Sequence, residues 1–392
     1  MNTQNTPVHI HLWHRAFWLM TVANLMLTMG VYLLVPVMPD WMLYTQNLTP
    51  EETGLAMAAF GGGLFLFGCF TSFLVQRYRR NIACVFAVLL MAASIGALYY
   101  MDTQKAVIVG FTPILLQRLA LGATFGVAQM ILSSTLIIDT CESFQRTEAN
   151  HAAAWFSRFA LSLGPLAGLI LGRLAGFNLV VLAAMGCAAL AILHILLVRF
   201  PFRAPDDDIP TFSLDRFLLP QGWPLFFNLL MITIVMGLLM STGLSELFYA
   251  MMMVGFLVAL LAQRFVFRDA DLRSEVVTGL VLQGAALLMM LTRQQAVVSF
   301  AAPLFVGFSL GIIGSRFLLF FIKLSRHCQR GTSQSTFLLG WESGIAFGLG
   351  IGYGLFYGEP STVLQLSLVL TVAALLLYSF LTHDWFLRHK NR

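Results

Sequence analysis

A series of apolar runs, each long enough to cross a lipid bilayer, constrains this chain more than any other feature. A helix rises about 1.5 Å per residue, so roughly 20 apolar residues cross the hydrocarbon core. Twelve such runs are predicted: 16–38, 53–75, 82–100, 107–136, 151–175, 178–199, 224–243, 246–267, 276–292, 296–323, 336–357 and 362–382. We number them spans 1 to 12 and expect an all-α membrane protein with twelve transmembrane helices.

The composition favours a lipid-facing surface. Only 10% of the residues are charged, whereas soluble domains contain roughly 25%. The formal net charge is +5, but the basic residues recur in small groups between apolar runs, so nucleic acid is not expected as a partner. The five cysteines form no C-x-x-C pair, so we expect no disulfide framework, metal site or cofactor. The first apolar run is too long for a signal peptide, which predicts a retained span.

The positions of Lys and Arg predict the orientation. Cytoplasmic segments carry an excess of these residues, and an N-terminus inside the cell places most of the 23 cations there. These include Arg77, Arg79, Arg80, Arg264, Arg268, Arg273, Lys323, Arg326, Arg330, Arg388, Lys390 and Arg392. Only Lys105, Arg173 and Arg293 would lie outside. We therefore expect both termini on the cytoplasmic side of a cytoplasmic (inner) membrane.

The longest polar stretch, residues 201–222, follows span 6 and divides the chain. It contains an acidic triplet at 206–208. Three adjacent side chains cannot converge on one ion, so we interpret the triplet as part of a solvated loop. The prediction is an N-terminal six-helix bundle (1–200), a cytoplasmic linker and a C-terminal six-helix bundle (223–392).

The two halves repeat each other weakly. The sequence Gln-Arg-Tyr that starts at Gln76 closes span 2, and Gln-Arg-Phe starts at Gln263 at the end of span 8. A single offset also relates three further pairs: Arg146 and Arg330, Gly164 and Gly348, and Gly168 and Gly352. Internal repeats are common in transporters, whose solute site lies where the repeats meet.

Three short motifs carry a resemblance to a known family. The family patterns are G-x-x-x-D-R-x-G-R-R after span 2, an arginine with spaced glycines in span 4, and G-x-x-x-G-P-x-x-G-G in span 5. The aligned residues here are Ser72, Gln76, Arg77, Tyr78, Arg79 and Arg80; Arg118, Gly122 and Gly126; and Ala160, Gly164, Pro165, Gly168 and Leu169. With twelve spans and a central loop, the whole chain resembles the major facilitator superfamily.

This resemblance implies a fold of two pseudo-symmetric six-helix bundles, with spans 1, 4, 7 and 10 around a central cavity. The span 5 motif looks more like exporters than importers of the family, and Gln76 replaces an acid that helps to lock the bundles. The polar residues that the cavity would then collect, as substrate-binding or gating residues, are Asn24, Tyr32, Arg118, Asn228 and Arg316.

Four ionisable residues stand within the spans: Arg118, Arg158, Arg316 and Glu342. Such groups usually face a cavity or pair with one another. Three cations and one acid favour an anionic or strongly hydrogen-bonding solute. The alternative is that these residues form internal ion pairs, or that the arginines extend to the membrane interface.

Glu342 is the candidate proton carrier. It has Arg158 as its counterpart in the repeat and Arg316 at similar depth on the preceding span. Burial and a nearby cation act in opposite directions on the proton affinity of a carboxyl, so a carboxyl held between them can exchange protons. We predict a direct pair between Arg316 and Glu342, with Arg158 as the competing partner from the other bundle.

A cytoplasmic gate is predicted from charges at the ends of the spans: Arg77, Asp139, Glu142, Arg146, Arg264 and Arg330. The favoured function is a monomeric, proton-coupled exporter of an amphipathic or anionic small molecule. A proton-coupled importer of a nutrient or organic anion has the same features. A lipid scramblase or a membrane enzyme is a further alternative, although the sequence contains no H-E-x-x-H or G-x-S-x-G motif and no catalytic set.

Overall fold

The structure of the protein is a computed structural model. It describes residues 11–103, 109–200, 209–267, 271–293 and 295–391. The acidic triplet at 206–208 and three of the cations used for orientation, Lys105, Arg268 and Arg392, lie outside these residues.

The described chain is built from helices and contains no strand, so the predicted all-α fold is confirmed. Labels α1 to α12 follow the span numbers. The helices are α1 (Arg15–Tyr32), α2 (Pro50–Leu66), α3 (Arg80–Thr103), α4 (Phe111–Ile131), α5 (146–174), α6 (177–196), α7 (Trp223–Met240), α8 (Glu246–Phe265), α9 (Leu272–Thr292), α10 (Ala296–Leu324), α11 (Arg330–Phe356) and α12 (Pro360–Leu377). Short helical turns extend α2 to Arg77 and α4 to Asp139.

Local sequence explains where several helices begin or break. Thr49 and Glu52 cap α2 reciprocally, each side chain bonding the other residue's backbone N–H, and a proline occupies the first turn. Ser245 caps α8 by accepting from the backbone N–H of Phe248. The break between α5 and α6 lies at Gly176, whose φ of +77° is disfavoured for residues with a Cβ.

Nine helices in the described chain are long and apolar enough to cross a membrane. One of these nine is the continuous stretch Arg146–Leu196, which contains both α5 and α6. Helices α1 and α11 are not among the nine. The multi-pass membrane architecture is therefore supported, and the count of twelve spans stays a prediction.

The packing of the first half recurs in the second. In the first half α1 packs on α5 and α6, α2 on α4, and α3 on α4 and α6. In the second half α7 packs on α11 and α12, α8 on α10, and α9 on α10 and α12. The order of contacts is thus the same in both halves, as a duplicated bundle requires.

Two equivalent helix pairs join the halves: α2 with α11, and α8 with α5. At the first of these the backbones touch. A Cβ added to Gly54 would lie 2.4 Å from the backbone nitrogen of Gly354, so only glycine fits at this crossing. Close approach through small residues is a common way to pack membrane helices.

The outer surface is apolar. Large exposed hydrophobic side chains occur on many helices, among them Phe86, Leu89, Leu174, Phe265 and Phe380. A water-soluble protein rarely exposes so much contiguous apolar surface, so this face is suited to lipid.

Candidate functional site

Glu342 forms a buried polar contact between the two halves. It lies in the middle of α11, and only 3% of its surface is exposed. The hydroxyl of Tyr32, at the end of α1, donates to Oε2 at 2.7 Å. The amide of Gln129, in α4, donates to Oε1 at 3.4 Å. One carboxyl from the second half is therefore held by two neutral donors from the first.

Arg158 forms the opposite contact, from α5 of the first half to α10 of the second. Its Nη1 donates to the hydroxyl of Ser315 at 2.6 Å. The guanidinium lies over the ring of Trp155, 4.6 Å from the ring centroid. The atoms Nε and Nη2 of Arg158 have no hydrogen-bond partner among the described residues. The α5–α10 contact corresponds to the α11–α4 contact in the repeat, with the opposite charge.

Arg316 does not pair with Glu342, so that prediction is wrong. Its Nε lies 2.5 Å from Oε2 of Glu275, in the first turn of α9. Glu275 is completely buried. The physical reason is proximity: α9 packs directly beside α10, whereas Glu342 is already held by residues of the other half. Arg158 is not an ion-pair partner of Glu342 in the described structure either.

Arg118 lies within the first half. Its Nη1 is 3.6 Å from the sulfur of Met38, and its guanidinium stacks over Phe60, with the carbon 5.1 Å from the ring centroid. The side chain is buried, and its Nε has no hydrogen-bond partner among the described residues. A role for Arg118 in binding or gating stays a prediction.

The two asparagines predicted to face the cavity bond neighbouring helices of their own half. Asn24 donates to the carbonyl of Ala153 at 3.1 Å and to the hydroxyl of Ser157 at 2.7 Å. Asn228 donates to the carbonyl of Ala374 at 3.1 Å. The five predicted cavity residues therefore have separate hydrogen-bond partners within the described chain, and only Tyr32 among them bonds Glu342.

At the end of the bundles that the sequence predicts to be cytoplasmic, a segment of the linker binds both halves. We call residues 213–219 the linker strap. The carboxylate of Asp215 accepts from Thr332 of α11 at 2.9 Å and from Ser72, in the extension of α2, at 3.4 Å. The backbone N–H of Arg216 donates to Thr332 at 2.9 Å, and its guanidinium to Thr135 beyond α4 at 2.6 Å.

Further strap contacts reinforce this connection. The backbone N–H of Ser213 donates to the carbonyl of Cys69, and that of Leu219 to the hydroxyl of Thr336. Gln76, which replaces the acid of the family motif, donates to Ser72 at 2.7 Å. The hydroxyl of Ser72 therefore connects Asp215, an acid from the linker, to Gln76, the position where the motif lacks an acid.

The six predicted gate residues differ in their contacts and exposure. Asp139 forms an ion pair with Arg80. Arg264 is exposed, with its guanidinium beside Phe265. Arg77 is also exposed, and the remaining three, Glu142, Arg146 and Arg330, are partly buried. Whether these charges open and close with transport stays a prediction.

A separate cleft lies at the opposite end of the first half. Its volume is about 640 Å³, and it is lined by residues that include Asp40, Trp41 and Asp102. The indole N–H of Trp41 donates to Asp102 at 2.8 Å, and its ring stacks on Phe177. Burial raises the pKa of the Asp40 carboxyl. Every lining residue belongs to the first half, so this cleft does not join the two halves.

Sequence reasoning missed four participants: Gln129, Glu275, Ser315 and Asp215. Glu275 was missed because span 9 was predicted to begin one residue later. A serine or glutamine in an apolar span is a weak signal, since such residues commonly bond their own helix backbone. Asp215 lies in a polar loop, where only the tertiary contacts distinguish it from solvated residues.

The described chain contains no group of three or more His, Cys, Asp or Glu side chains arranged to hold a metal ion. The halves are joined by the contacts of Glu342 and Arg158 with neutral partners and also by an ion pair between Arg173 of α5 and Glu246 of α8, in which Nη2 and Oε1 lie 2.7 Å apart.

Known proteins share this fold. The profile of the Major Facilitator Superfamily matches residues 20–349. The structure is similar to that of the human organic anion transporter MFSD10 (TETRAN), with a TM-score of 0.67 and 15% identity over 93% of this chain and 98% of that one. It is also similar to the POT family transporter PepTSo, with a TM-score of 0.70 and 10% identity over 96% and 99%.

A third similar structure is a bacterial homologue of the iron transporter ferroportin in an outward-facing state. The TM-score is 0.66, with 15% identity over 95% of this chain and 99% of that one. At these identities the likeness concerns the fold alone. No curated protein sequence matches the chain.

Proposed function

This chain belongs to the major facilitator superfamily, and we propose that it is a proton-coupled secondary transporter that exports an amphipathic or anionic small molecule. The family and the similar structures support membrane transport as the general function. The observation that carries the finer proposal is the buried carboxyl of Glu342, held between the halves by Tyr32 and Gln129.

Protonation of Glu342 changes the number of hydrogen bonds that its carboxyl can accept. An ionised carboxyl only accepts hydrogen bonds, and a protonated one donates from one of its oxygens. Proton binding to Glu342 therefore removes one of the two acceptors that Tyr32 and Gln129 use. The tie between α1, α4 and α11 weakens, and the equilibrium between conformations shifts by the difference in binding.

Alternating access follows from contacts at the two ends of the halves. At one end α2 meets α11 at Gly54, and at the cytoplasmic end the linker strap connects Asp215 to Thr332. In the proposed cycle the solute enters when one set of contacts is broken and leaves when the other is broken. In this proposal the charged residues predicted as a gate separate when the strap releases Thr332.

We place the protein in the cytoplasmic membrane as a monomer, with both termini inside. Export then requires a cytoplasm-facing state in which the strap has released Thr332. A reporter fused after Arg392 is expected to be active only in the cytoplasm, and activity outside the cell would contradict this orientation.

The direct test uses inverted membrane vesicles and a panel of labelled organic anions and amphiphiles. With the vesicle interior acidified, an exporter should accumulate its substrate in exchange for protons. Glu342→Gln keeps the shape of the side chain and removes the titratable proton. This variant should lose gradient-driven accumulation and keep substrate exchange between the two sides.

The matched control is Glu359→Gln, since Glu359 is exposed before α12 and its side chain accepts a hydrogen bond only from Thr362 in the described structure. It should transport at the wild-type rate. If Glu342→Gln still concentrates substrate as the wild type does, the proton is carried elsewhere. Accumulation in right-side-out vesicles instead would replace export by import.

A further inference from the structure

The buried charges of the spans differ in how they are compensated. Arg316 pairs with Glu275, and Glu342 accepts two hydrogen bonds. Arg118 and Arg158 have no acidic partner among the described residues. A buried charge without a partner is destabilising, because nothing replaces the hydration that it has lost. These two arginines are therefore the positions at which an anion from outside the chain would be stabilised most.

Position separates the two arginines. Arg118 contacts Met38 and Phe60, which belong to the same half. Arg158 extends from α5 to Ser315 of α10, across the boundary between the halves. A solute that passes by alternating access must contact this boundary, because the two halves move relative to each other there.

The free edge of Arg158 has the geometry of an anion receptor. Nη1 is occupied by Ser315, so the N–H groups of Nε and Nη2 remain. These two lie side by side on one edge of the guanidinium and point in the same direction. Such an edge binds a carboxylate or sulfonate through two parallel hydrogen bonds. The indole Nε1 of Trp155, under the guanidinium, is also buried and without a partner in the described chain.

Tryptophan rings and glycines of α10 lie near this edge of Arg158. A Cβ at Gly314 would lie 2.8 Å from Nε of Arg158 and 2.9 Å from the ring of Trp341. A Cβ at Gly311 would lie 3.1 Å from the ring of Trp155. The ring of Trp155 therefore lies against the guanidinium and that of Trp341 lies close to it, while α10 has no side chain at Gly311 and Gly314.

We propose that Arg158 binds the anionic group of the transported solute, and that the solute is an organic anion whose apolar body packs against Trp155 and Trp341. This rests on the proposed transport function and defines the substrate class of its site. The anion supplies the negative charge that the guanidinium lacks. A neutral analogue leaves that charge uncompensated and binds more weakly.

The test is equilibrium binding to purified protein in lipid nanodiscs, without a pH gradient. The probes are two matched pairs: benzoate with benzamide, and naphthalene-2-sulfonate with naphthalene-2-sulfonamide. Binding is followed by the thermal unfolding midpoint and by tryptophan fluorescence. The wild type should prefer each anion over its amide at least tenfold, with a change in fluorescence from the indole beside Arg158.

Three variants locate the preference. Arg158→Gln should bind the anion and the amide equally, and Arg158→Lys, which keeps the charge, should retain part of the preference. Arg293→Gln removes an exposed arginine after α9 and should behave as the wild type. If Arg158→Gln fails to fold, the comparison of wild type, Arg158→Lys and Arg293→Gln still decides the matter through the fluorescence signal.

Equal binding of anion and amide to the wild type would overturn the inference, as would no binding of any probe. A preference lost in Arg118→Gln and retained in Arg158→Lys and Arg158→Gln would move the site to Arg118 and also overturn it. Because no gradient is applied, these outcomes are independent of proton coupling and direction. Intact anion preference with no accumulation in vesicles would contradict the proposed function alone.

Discussion

The hydrogen bond between Tyr32 and Glu342 should help to hold the two halves together. Tyr32→Phe deletes the hydroxyl and leaves the ring in place. The bond is 2.7 Å long, and both side chains are buried. Glu342 keeps only the 3.4 Å bond from Gln129. We expect this variant to populate the conformation in which α1 and α11 have separated.

The magnitude follows from the charge of the acceptor. A hydrogen bond to a charged group contributes about 1.5–3 kcal/mol, which changes a two-state equilibrium by roughly 10- to 150-fold. An open state populated at about 1% in the wild type would rise to about 10–60% in the variant. Gln129→Leu removes a longer bond and should shift the equilibrium less than Tyr32→Phe does.

The assay is energy transfer between dyes at positions 51 and 359, which are exposed at the N-terminal ends of α2 and α12. It requires a background in which the native cysteines are replaced. Tyr249→Phe is the matched control, because the hydroxyl of this buried tyrosine bonds no described residue. Equal distance distributions for wild type and Tyr32→Phe would refute the reasoning. A shift that persists unchanged in the Glu342→Gln background would show that the carboxylate is not the partner that matters.

Three further predictions concern the contact between α2 and α11, the ion pair of Arg316 with Glu275, and the linker strap. Gly54→Ala should push α2 from α11, at a cost of about 1–3 kcal/mol, and lengthen the same dye distance. Gly62 lies in the same helix with open space around it, so Gly62→Ala should leave the dye distance unchanged. Equal dye distances in the two variants would rule out the close contact at Gly54. Arg316→Leu leaves Glu275 buried without a partner and should lower stability by about 3–5 kcal/mol, measured by thermal unfolding; a second change, Glu275→Leu, should restore much of it, and no rescue would argue against the pair. Thr332→Ala removes two hydrogen bonds to the linker strap, so hydrogen–deuterium exchange of residues 213–219 should become faster, and unchanged exchange would mean that the strap is held elsewhere.

Much of the candidate site was visible in the sequence as a set of residue types. Arg158, Arg316 and Glu342 stand out because charges are rare in apolar spans. Their partners were not visible. Glu275 was excluded because it precedes the predicted start of span 9 by one residue, whereas α9 begins at Leu272. The choice of partner for Arg316 depends on which helix packs beside α10. The sequence shows how deep in the membrane a residue of a helix lies. It does not show how the helix is rotated about its axis relative to its neighbours.

The contacts of the linker strap show the same limit for a loop. The sequence predicted a linker and the loss of an acid at Gln76. It did not predict that Asp215 and Arg216 fold back onto Ser72, Thr135 and Thr332. Hydroxyl groups on helices carry no periodic signal, so their partners from a loop appear only when the chain is folded.

The sequence by itself determined the class of the protein: an all-α, multi-pass membrane fold with a repeated half, belonging to one transporter family. The reason is that bilayer thickness imposes a length on each apolar run, and length and order are properties of the linear chain. Only the tertiary structure decided that Glu342 bonds Tyr32, that Arg316 bonds Glu275, and that Arg158 keeps a free edge between the halves. Those contacts depend on how helices far apart in sequence are rotated and packed, and hydrogen bonds are made or lost over distances much shorter than the width of a helix.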